Sequence, residues 1–153
     1  MKRAITYGTF DMFHIGHLKL LERIKQNCDH LTVAVSTDEF NAIKGKKTVI
    51  PYEDRAAIVA SLELVDRVIP ENDWEQKIPD IIDNNIDIFI MGSDWAGKFD
   101  FLQSHCRVMY LKRTPGISST QLKKTLGVQM IDLKRTLFSK IEELQKIIDD
   151  LPE

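Results

Sequence analysis

Short apolar runs alternate with helix-like segments through the first two thirds of the chain. Five runs predict strands, and their lack of polar alternation is typical of strands buried on both faces of a parallel sheet. The predicted strands cover residues 5–7, 31–35, 65–69, 86–91 and 108–111. The predicted helices between them cover residues 18–26, 52–62 and 74–84. This alternation indicates a doubly wound α/β sheet, whose ligands bind beyond the carboxyl ends of the strands.

The end of the chain has a different pattern, in which apolar residues recur every three or four positions among charged ones. These residues are Met130, Leu133, Leu137, Ile141, Leu144, Ile148 and Leu151. The spacing predicts a long C-terminal amphipathic helix that packs back on its own domain or pairs with a second copy, and we favour pairing. We therefore expect one domain over residues 1–127 and a helical extension over residues 128–153.

A histidine pair separated by Ile15 and Gly16 lies between the first predicted strand and the first predicted helix. His14 and His17 follow the sequence Gly8-Thr9-Phe10-Asp11. Helix N-termini favour anions, and imidazoles add donors for phosphoryl oxygens. Alternatives are two unrelated surface histidines or a zinc pair, although zinc needs at least one more strong ligand and none lies nearby in sequence. We interpret the motif as a phosphate site.

Two further segments carry groups that suit phosphate. Arg113 and the hydroxyl-rich residues 114–120 precede a short predicted helix at about 121–126, where Ser118 or Ser119 could instead act only as a cap. The basic stretch at residues 44–47 is either a solvated loop or a lid that brings ammonium groups onto phosphates. The histidine motif and the Arg113 segment would then be two anion sites in one chain. Two such sites suggest a substrate with several phosphates, such as a nucleoside triphosphate.

Composition narrows the classes of protein. The chain has 153 residues and a formal net charge of −2, which argues against nucleic acid as the main partner. No segment approaches the roughly 20 apolar residues of a membrane span, and no signal peptide is visible. Cys28 and Cys106 form no metal or redox motif, so we expect both to pack as small apolar groups in a cytoplasmic protein.

Together these motifs resemble the cytidylyltransferases of the HxGH nucleotidyltransferase superfamily, and within it the glycerol-3-phosphate cytidylyltransferases of wall teichoic acid synthesis. The resemblance covers about residues 1–127. The matching stretches are residues 5–11, 14–17, 36–41, 68–71, 74–77, 91–92, 94–95, 97–102, 113–114 and 116–118.

The resemblance implies a Rossmann-like fold, a homodimer and a divalent cation, usually Mg²⁺, that accompanies CTP. The implied reaction converts CTP and glycerol 3-phosphate into CDP-glycerol and pyrophosphate, for teichoic acid or capsule polymer synthesis. The acceptor phosphate would attack the α-phosphorus of CTP in line, so catalysis would rest on positioning and charge stabilisation. No residue is expected to ligate a resident metal.

The resemblance also implies a role for each matching residue. His14, His17 and Arg113 would act on the triphosphate, Gly16 would let the phosphates approach the backbone, and Lys44 and Lys77 would hold the acceptor phosphate. The remaining implied nucleotide contacts are Gly8, Thr9, Phe10, Asp11, Lys46, Asp94, Thr114, Gly116, Ile117, Ser118, Ser119 and Thr120. Arg55 and Asp66, like Asp11, match charged positions that either support the site or contact substrate directly.

Three positions depart from the family pattern. Glu63 stands where close relatives usually carry arginine, which could weaken a nucleotide contact or an ion pair at a dimer face. Ser93 and Pro115 each replace a common acidic residue. Alternatives to the leading function are a cytidylyltransferase for another small phosphate (ribitol 5-phosphate or phosphoethanolamine), an enzyme that uses ATP, or a non-catalytic nucleotide-binding scaffold.

Overall fold

A computed structural model describes residues 1–149 of the chain, except for the side chains of residues 128–132. Within these described residues, five parallel strands form one sheet in the order β3-β2-β1-β4-β5. The strands are β1 (Arg3–Gly8), β2 (His30–Ser36), β3 (Arg67–Glu71), β4 (Ile88–Gly92) and β5 (Arg107–Leu111). The strand order reverses between β1 and β4, so the predicted doubly wound sheet is confirmed and its ligand crevice is expected beside the carboxyl end of β1.

The described residues 1–149 form six α-helices. They are α1 (Ile15–Lys25), α2 (Asp38–Ile43), α3 (Tyr52–Ala60), α4 (Lys77–Asp83), α5 (Ser119–Thr125) and α6 (Val128–Asp149). Two short 3₁₀ helices, Ser93–Trp95 and Asp100–Ser104, lie between β4 and β5.

Alternate residues of the central strands pack into two apolar cores, one on each face of the sheet. On one face Leu31, Val33 and Val35 pack with Leu21 of α1 and Val59 of α3. On the other face the alternate strand residues pack with α4 and the second 3₁₀ helix. These residues include Ile5, Tyr7, Ala34, Phe89, Ile81 and Leu102. Both faces are therefore covered, as a parallel sheet requires.

The prediction of full burial is wrong for the two edge strands. β3 and β5 are mostly half-buried or exposed, because each pairs with a neighbour on one side only. The predicted start of α1 is also wrong, since α1 begins at Ile15, directly after its cap His14. The helix predicted to start at residue 74 begins only at Lys77, and α2 was not predicted.

The chain divides into two compact units, Met1–Ile117 and Ser118–Glu153, and the domain boundary expected at residue 127 stays a prediction. In the second unit α5 and α6 pack together. The apolar side chains of α6 from Leu133 to Ile148 are 53% to 66% exposed. Leu151 of the predicted stripe lies outside the described residues, as does the side chain of Met130. Among residues 1–149, no helix has the length and apolar content that a membrane crossing needs.

Candidate active site

The loop between β1 and α1 has an unusual backbone conformation. Phe10 and Met12 have φ angles of +52° and +50°, in the left-handed region that side chains other than glycine rarely adopt. The Phe10 ring folds back over Gly8, where a Cβ atom would lie 2.8 Å from Phe10 Cε2. Phe10 is 4% exposed and packs into the core beneath α1. Burial of the ring thus fixes the turn that leads into α1, and with it the position of the histidine pair.

His14 and His17 cap the N-terminus of α1 reciprocally. The backbone N–H of Gly16 donates to His14 Nδ1 at 3.0 Å, and the backbone N–H of His14 donates to His17 Nδ1 at 3.3 Å. An imidazole nitrogen that accepts a hydrogen bond carries no proton, so a neutral ring in this position carries its proton on Nε2. The caps therefore set both rings to the tautomer whose Nε2–H is a hydrogen-bond donor.

The surroundings favour the neutral form of both rings. The two rings stack with centroids 3.9 Å apart, and Phe10 and Phe13 each lie 5.4 Å from the His17 ring. Burial and the neighbouring His14 ring lower the pKa of His17 to about 4, although Asp11 opposes this shift. Burial and the positive charge of Arg113 lower the pKa of His14. At neutral pH the pair presents two uncharged donors.

The position of the His14 ring leaves no room for a side chain at residue 16, so this residue has to be glycine. A Cβ atom at this position would lie 2.8 Å from His14 Cε1 and 3.0 Å from Ile117 Cγ2. The space beside Gly16 is thus filled by side chains of the protein itself. This contact could not be predicted from local sequence, because Ile117 is distant from Gly16 along the chain.

Asp11 and Arg55 hold the loops around the site. The buried Asp11 carboxylate accepts from the backbone N–H groups of Val49, at 2.9 and 3.1 Å, and Ile50, at 3.0 Å. Arg55, 1% exposed, donates to the carbonyl oxygens of Ile50 and Thr9 at 2.9 and 2.5 Å. It also pairs with Asp38 at 2.7 Å. These bonds tie the loop after β1 to the segment before α3.

Lys44 and Lys77, the predicted acceptor residues, meet at one carboxylate. Lys77 Nζ lies 2.9 Å from Glu71 Oε1, and Lys44 Nζ lies 3.5 Å from Glu71 Oε2. Lys44 Nζ also donates to the Ser36 hydroxyl at 2.9 Å, and that hydroxyl in turn donates to Glu71 Oε2. Ser36 and Glu71 are register partners at the carboxyl ends of β2 and β3. The fold therefore gathers the two lysines at the same edge of the sheet as the histidines.

A cavity of about 550 Å³ opens beside this lysine cluster. Its lining residues are Lys44, Lys46, Trp74, Trp95, Lys98, Phe99 and Phe101. Cationic groups lie over its rings: Lys44 Nζ is 5.7 Å from the Trp74 centroid, and Lys98 Nζ is 5.2 Å from the Trp95 centroid. Aromatic walls with several ammonium groups suit a small ligand that carries phosphate.

The sequence reasoning missed Glu71, Trp74, Trp95 and Lys98 as residues of this site. All four lie in stretches that carry the family resemblance, but that resemblance gave them no role. A carboxylate is an unexpected neighbour in a phosphate site. A signal was available for Glu71, because it follows the predicted strand 65–69 by two residues and so falls at the carboxyl edge of the sheet.

A short chain of polar contacts joins the two parts of the site. The Thr9 hydroxyl donates to the side-chain oxygen of Asn41 at 3.0 Å. The Asn41 amide nitrogen donates to the carbonyl of Ser36 at 3.3 Å, and Asn41 is fully buried. Thr9 precedes the histidine motif and Ser36 contacts the lysine cluster, so the two parts are linked through α2.

The predicted contacts after β5 are placed less tightly. Arg113 Nη1 lies 3.4 Å from Asp94 Oδ2, and both side chains are more than half exposed. Thr114 accepts a hydrogen bond from Arg23 at 3.2 Å. Ser118 caps α5 by accepting from the Gln121 N–H at 3.1 Å. Ser118, Ser119 and Thr120 belong to the second unit, and their predicted contacts with nucleotide stay predictions.

Two of the charged positions noted in the sequence lie away from the site. Asp66 accepts from the Leu31 N–H at 2.6 Å and from Lys25 at 2.5 Å, where β2 begins. This is the amino edge of the parallel sheet, opposite the histidines and lysines. Asp66 therefore supports the sheet. Glu63 is exposed in the segment between α3 and β3.

The side chains of this site suit a Mg²⁺ ion that is bound to nucleotide phosphates, and they do not form a metal site of their own among the described residues. Within residues 1–149, no three His, Cys, Asp or Glu side chains come together in a group that could hold a metal ion. The site is instead built from histidine, lysine and arginine donors, with Asp94 at its exposed rim. Mg²⁺ keeps several waters and is commonly held by substrate phosphates, which is compatible with this arrangement.

Comparison with known proteins agrees with the geometry. The family model described as cytidylyltransferase-like matches residues 5–125. The glycerol-3-phosphate cytidylyltransferase of Bacillus subtilis (strain 168) is 61% identical over 122 residues, which cover 80% of this chain and 95% of that protein. The enzyme of the same name from Staphylococcus aureus (strain NCTC 8325 / PS 47) is 53% identical over 122 residues, which cover 80% of this chain and 92% of that protein.

A solved structure described as the lipopolysaccharide core biosynthesis protein from Thermoplasma volcanium GSS1 aligns with a TM-score of 0.64 and 25% identity. The alignment covers 74% of this chain and 98% of that one. The family match ends at residue 125, before α6 begins at Val128. On the matched residues and the site they build, the chain belongs to the cytidylyltransferase-like family of nucleotidyltransferases.

Proposed function

We propose that this protein is a CTP:glycerol-3-phosphate cytidylyltransferase that forms CDP-glycerol and pyrophosphate. The observation that carries the proposal is the stacked pair His14 and His17, whose Nδ1 atoms are occupied by backbone N–H groups at the start of α1. Two neutral Nε2–H donors at a helix N-terminus suit a nucleotide phosphate, and the nearby Lys44 and Lys77 suit a second, smaller phosphate. The relatives' names supply the identity of both substrates.

In the proposed reaction an oxygen of the acceptor phosphate attacks the α-phosphorus of CTP. The bond between the α-phosphorus and the bridging oxygen breaks in line, and pyrophosphate leaves with that oxygen. The acceptor phosphate is already an anion, so no residue has to remove a proton. His14 and His17 donate through Nε2 to the α-phosphate as it becomes crowded, and Arg113 balances the charge of the departing pyrophosphate.

Mg²⁺ is proposed to enter with CTP, and it would supply charge neutralisation on the phosphates. Asp94, at the exposed rim of the site, is the carboxylate that would face it. We also propose that the protein works in the cytoplasm and supplies an activated glycerol phosphate for a teichoic acid or capsule polymer, as the family resemblance implies.

The test is pyrophosphate release from CTP, Mg²⁺ and glycerol 3-phosphate. We expect release to require all three, and His14→Asn to lower it by at least about a hundredfold. Parallel assays replace the acceptor with ribitol 5-phosphate or phosphoethanolamine and CTP with ATP. Faster turnover with one of these would reassign the substrate. If the protein binds nucleotide but releases no pyrophosphate with any pair of nucleotide and acceptor, its function is that of a non-catalytic nucleotide-binding scaffold.

We further propose that α6 joins two copies of the chain in antiparallel orientation. Leu133 and Leu137 mirror Leu144 and Ile148 about the point between residues 140 and 141. An antiparallel pair therefore places Leu133 of one copy against Ile148 of the other, and both are more than half exposed in the single chain. The family resemblance, which ends before α6, implies a homodimer of its own, and pairing of α6 would strengthen that dimer.

The charges of α6 favour the same orientation. Residues 133–140 carry Lys134, Arg135 and Lys140 without an acidic residue. Residues 141–149 carry three acidic residues and Lys146. Antiparallel pairing brings each basic half against an acidic half, whereas parallel pairing aligns like charges and like helix dipoles.

Sedimentation equilibrium tests this pairing. We expect deletion of residues 128–153 to weaken dimerisation, and Leu137→Lys to weaken it similarly. Ser139→Lys is the matched control, because it adds the same charge away from the apolar stripe. Unchanged affinity in the deletion variant would overturn the pairing proposal.

A further inference from the structure

Glu71 is a buried carboxylate between the two predicted acceptor lysines. Glu71 is 3% exposed, and the side chains of Lys77 and Lys44 are 2% and 9% exposed. Each carboxylate oxygen faces a different lysine, at 2.9 and 3.5 Å. The Ser36 hydroxyl donates to Glu71 Oε2, so the carboxylate is held from a third side. The geometry is that of a bridge between two ammonium groups.

The surroundings of these ammonium groups make an anionic partner necessary. Lys77 Nζ lies 4.5 Å from the ring centroid of Tyr7 and 5.0 Å from that of Trp74, and Lys44 Nζ lies 4.2 Å from that of Phe40. Aromatic faces attract cations but replace little of the water that a buried charge loses. Removing one member of such a buried group leaves uncompensated charge. Two cations this close would otherwise repel each other.

We propose that Glu71 is the positioning residue for the acceptor phosphate: its carboxylate fixes the ammonium groups of Lys44 and Lys77 as one preformed pair. The proposal rests on the proposed function, in which these lysines bind the acceptor. An ammonium group has three N–H donors, so each lysine can bond Glu71 and still donate to phosphate. The two lysines and Glu71 together carry one net positive charge, which attracts the acceptor dianion without trapping the product.

The same arrangement ties acceptor binding to pH through Lys44. Burial lowers the pKa of Lys44, Glu71 raises it, and the charges of Lys46 and Lys77 lower it further. The rings of Phe40 and Trp74 complete its surroundings. Without the carboxylate, Lys44 loses its proton at lower pH, and the phosphate loses one of its two cations.

Glu71→Gln tests the proposal, since it keeps the shape and hydrogen-bonding capacity of the side chain and removes its charge. We expect KM for glycerol 3-phosphate to rise by roughly ten- to a hundredfold, the effect of losing one charged hydrogen bond. KM for CTP stays within about twofold. The basic limb of the kcat/KM profile for the acceptor moves to lower pH. Glu71→Asp partly restores acceptor affinity, and Glu53→Gln, an exposed glutamate on α3, is the matched control.

The result that overturns the inference is an unchanged or lower acceptor KM in Glu71→Gln, or an equal rise in both KM values. If Glu71→Gln fails to fold, the variant Ser36→Ala tests the positioning role of Glu71 in its place. This variant removes one contact to both Glu71 and Lys44, and it should raise the acceptor KM alone, whereas an unchanged acceptor KM refutes the role. Absence of turnover in the wild-type protein with every acceptor would remove the proposed function and this inference together.

Discussion

His14 combines two tasks that substitution can separate. Its Nδ1 accepts the Gly16 N–H at 3.0 Å and caps α1, while its Nε2 is the donor assigned to the nucleotide. Asparagine is among the best N-cap residues, so His14→Asn retains the cap and loses the Nε2 donor. Alanine loses both. The two variants should therefore differ in stability but share the same defect in catalysis.

The expected magnitudes follow from the two interactions. Loss of an N-cap costs about 1 kcal/mol, which for a protein of this size lowers Tm by about 2–4 °C. His14→Asn should stay within about 0.5 kcal/mol of the wild type. Removing one hydrogen-bond donor that stabilises charge in the transition state lowers kcat by roughly a hundred- to a thousandfold. This corresponds to a rise of about 2.7–4 kcal/mol in the activation free energy. Both variants should show that loss.

Urea unfolding and pyrophosphate release measure the two effects on the same samples. Wild-type activity in His14→Asn would refute the donor role of Nε2. Equal stability of His14→Ala and His14→Asn would refute the capping role of Nδ1.

Three further predictions concern the same edge of the sheet. Folding favours the neutral His17 ring, whose pKa of about 4 lies below its ordinary 6.5, so the protein should lose stability as pH falls between these values. His17→Asn should lose less over that range, as measured by urea unfolding. Arg55→Ala should lower the free energy of unfolding by about 2–4 kcal/mol, because it leaves the carbonyls of Thr9 and Ile50 without their donor. Gly16→Ala should lower kcat/KM for CTP well below wild type with a small change in Tm, since its Cβ would displace the His14 ring.

The sheet was predictable because its signals are local. Unbroken apolar runs such as residues 31–35 mark buried parallel strands, and their alternation with helices fixes the class of fold. α2 was missed because it is only six residues long, and two of them, Phe40 and Asn41, are buried by tertiary contacts. The exposed faces of β3 and β5 depend on strand order, which no local pattern encodes.

The histidine pair was predictable because its spacing places both rings on one helix start. The tautomer of the two rings could not be predicted, since it depends on which ring nitrogen accepts a hydrogen bond from a backbone N–H. Glu71 was missed for a related reason. Its partners Ser36, Lys44 and Lys77 come from three elements, and only the register of β2 with β3 brings them together.

The histidine tautomers and their response to nucleotide show whether His14 and His17 donate to the phosphates of CTP. The measurement is ¹⁵N NMR of histidine-labelled protein at neutral pH, with and without CTP and Mg²⁺, assigned by His14→Asn and His17→Asn. We expect protons on Nε2 of both rings in the free protein, and a change of the Nε2 resonances on addition of CTP while Nδ1 stays an acceptor. Protons on Nδ1 of either ring would contradict the proposed donor role of the histidine pair. So would Nε2 resonances that do not change when CTP is added.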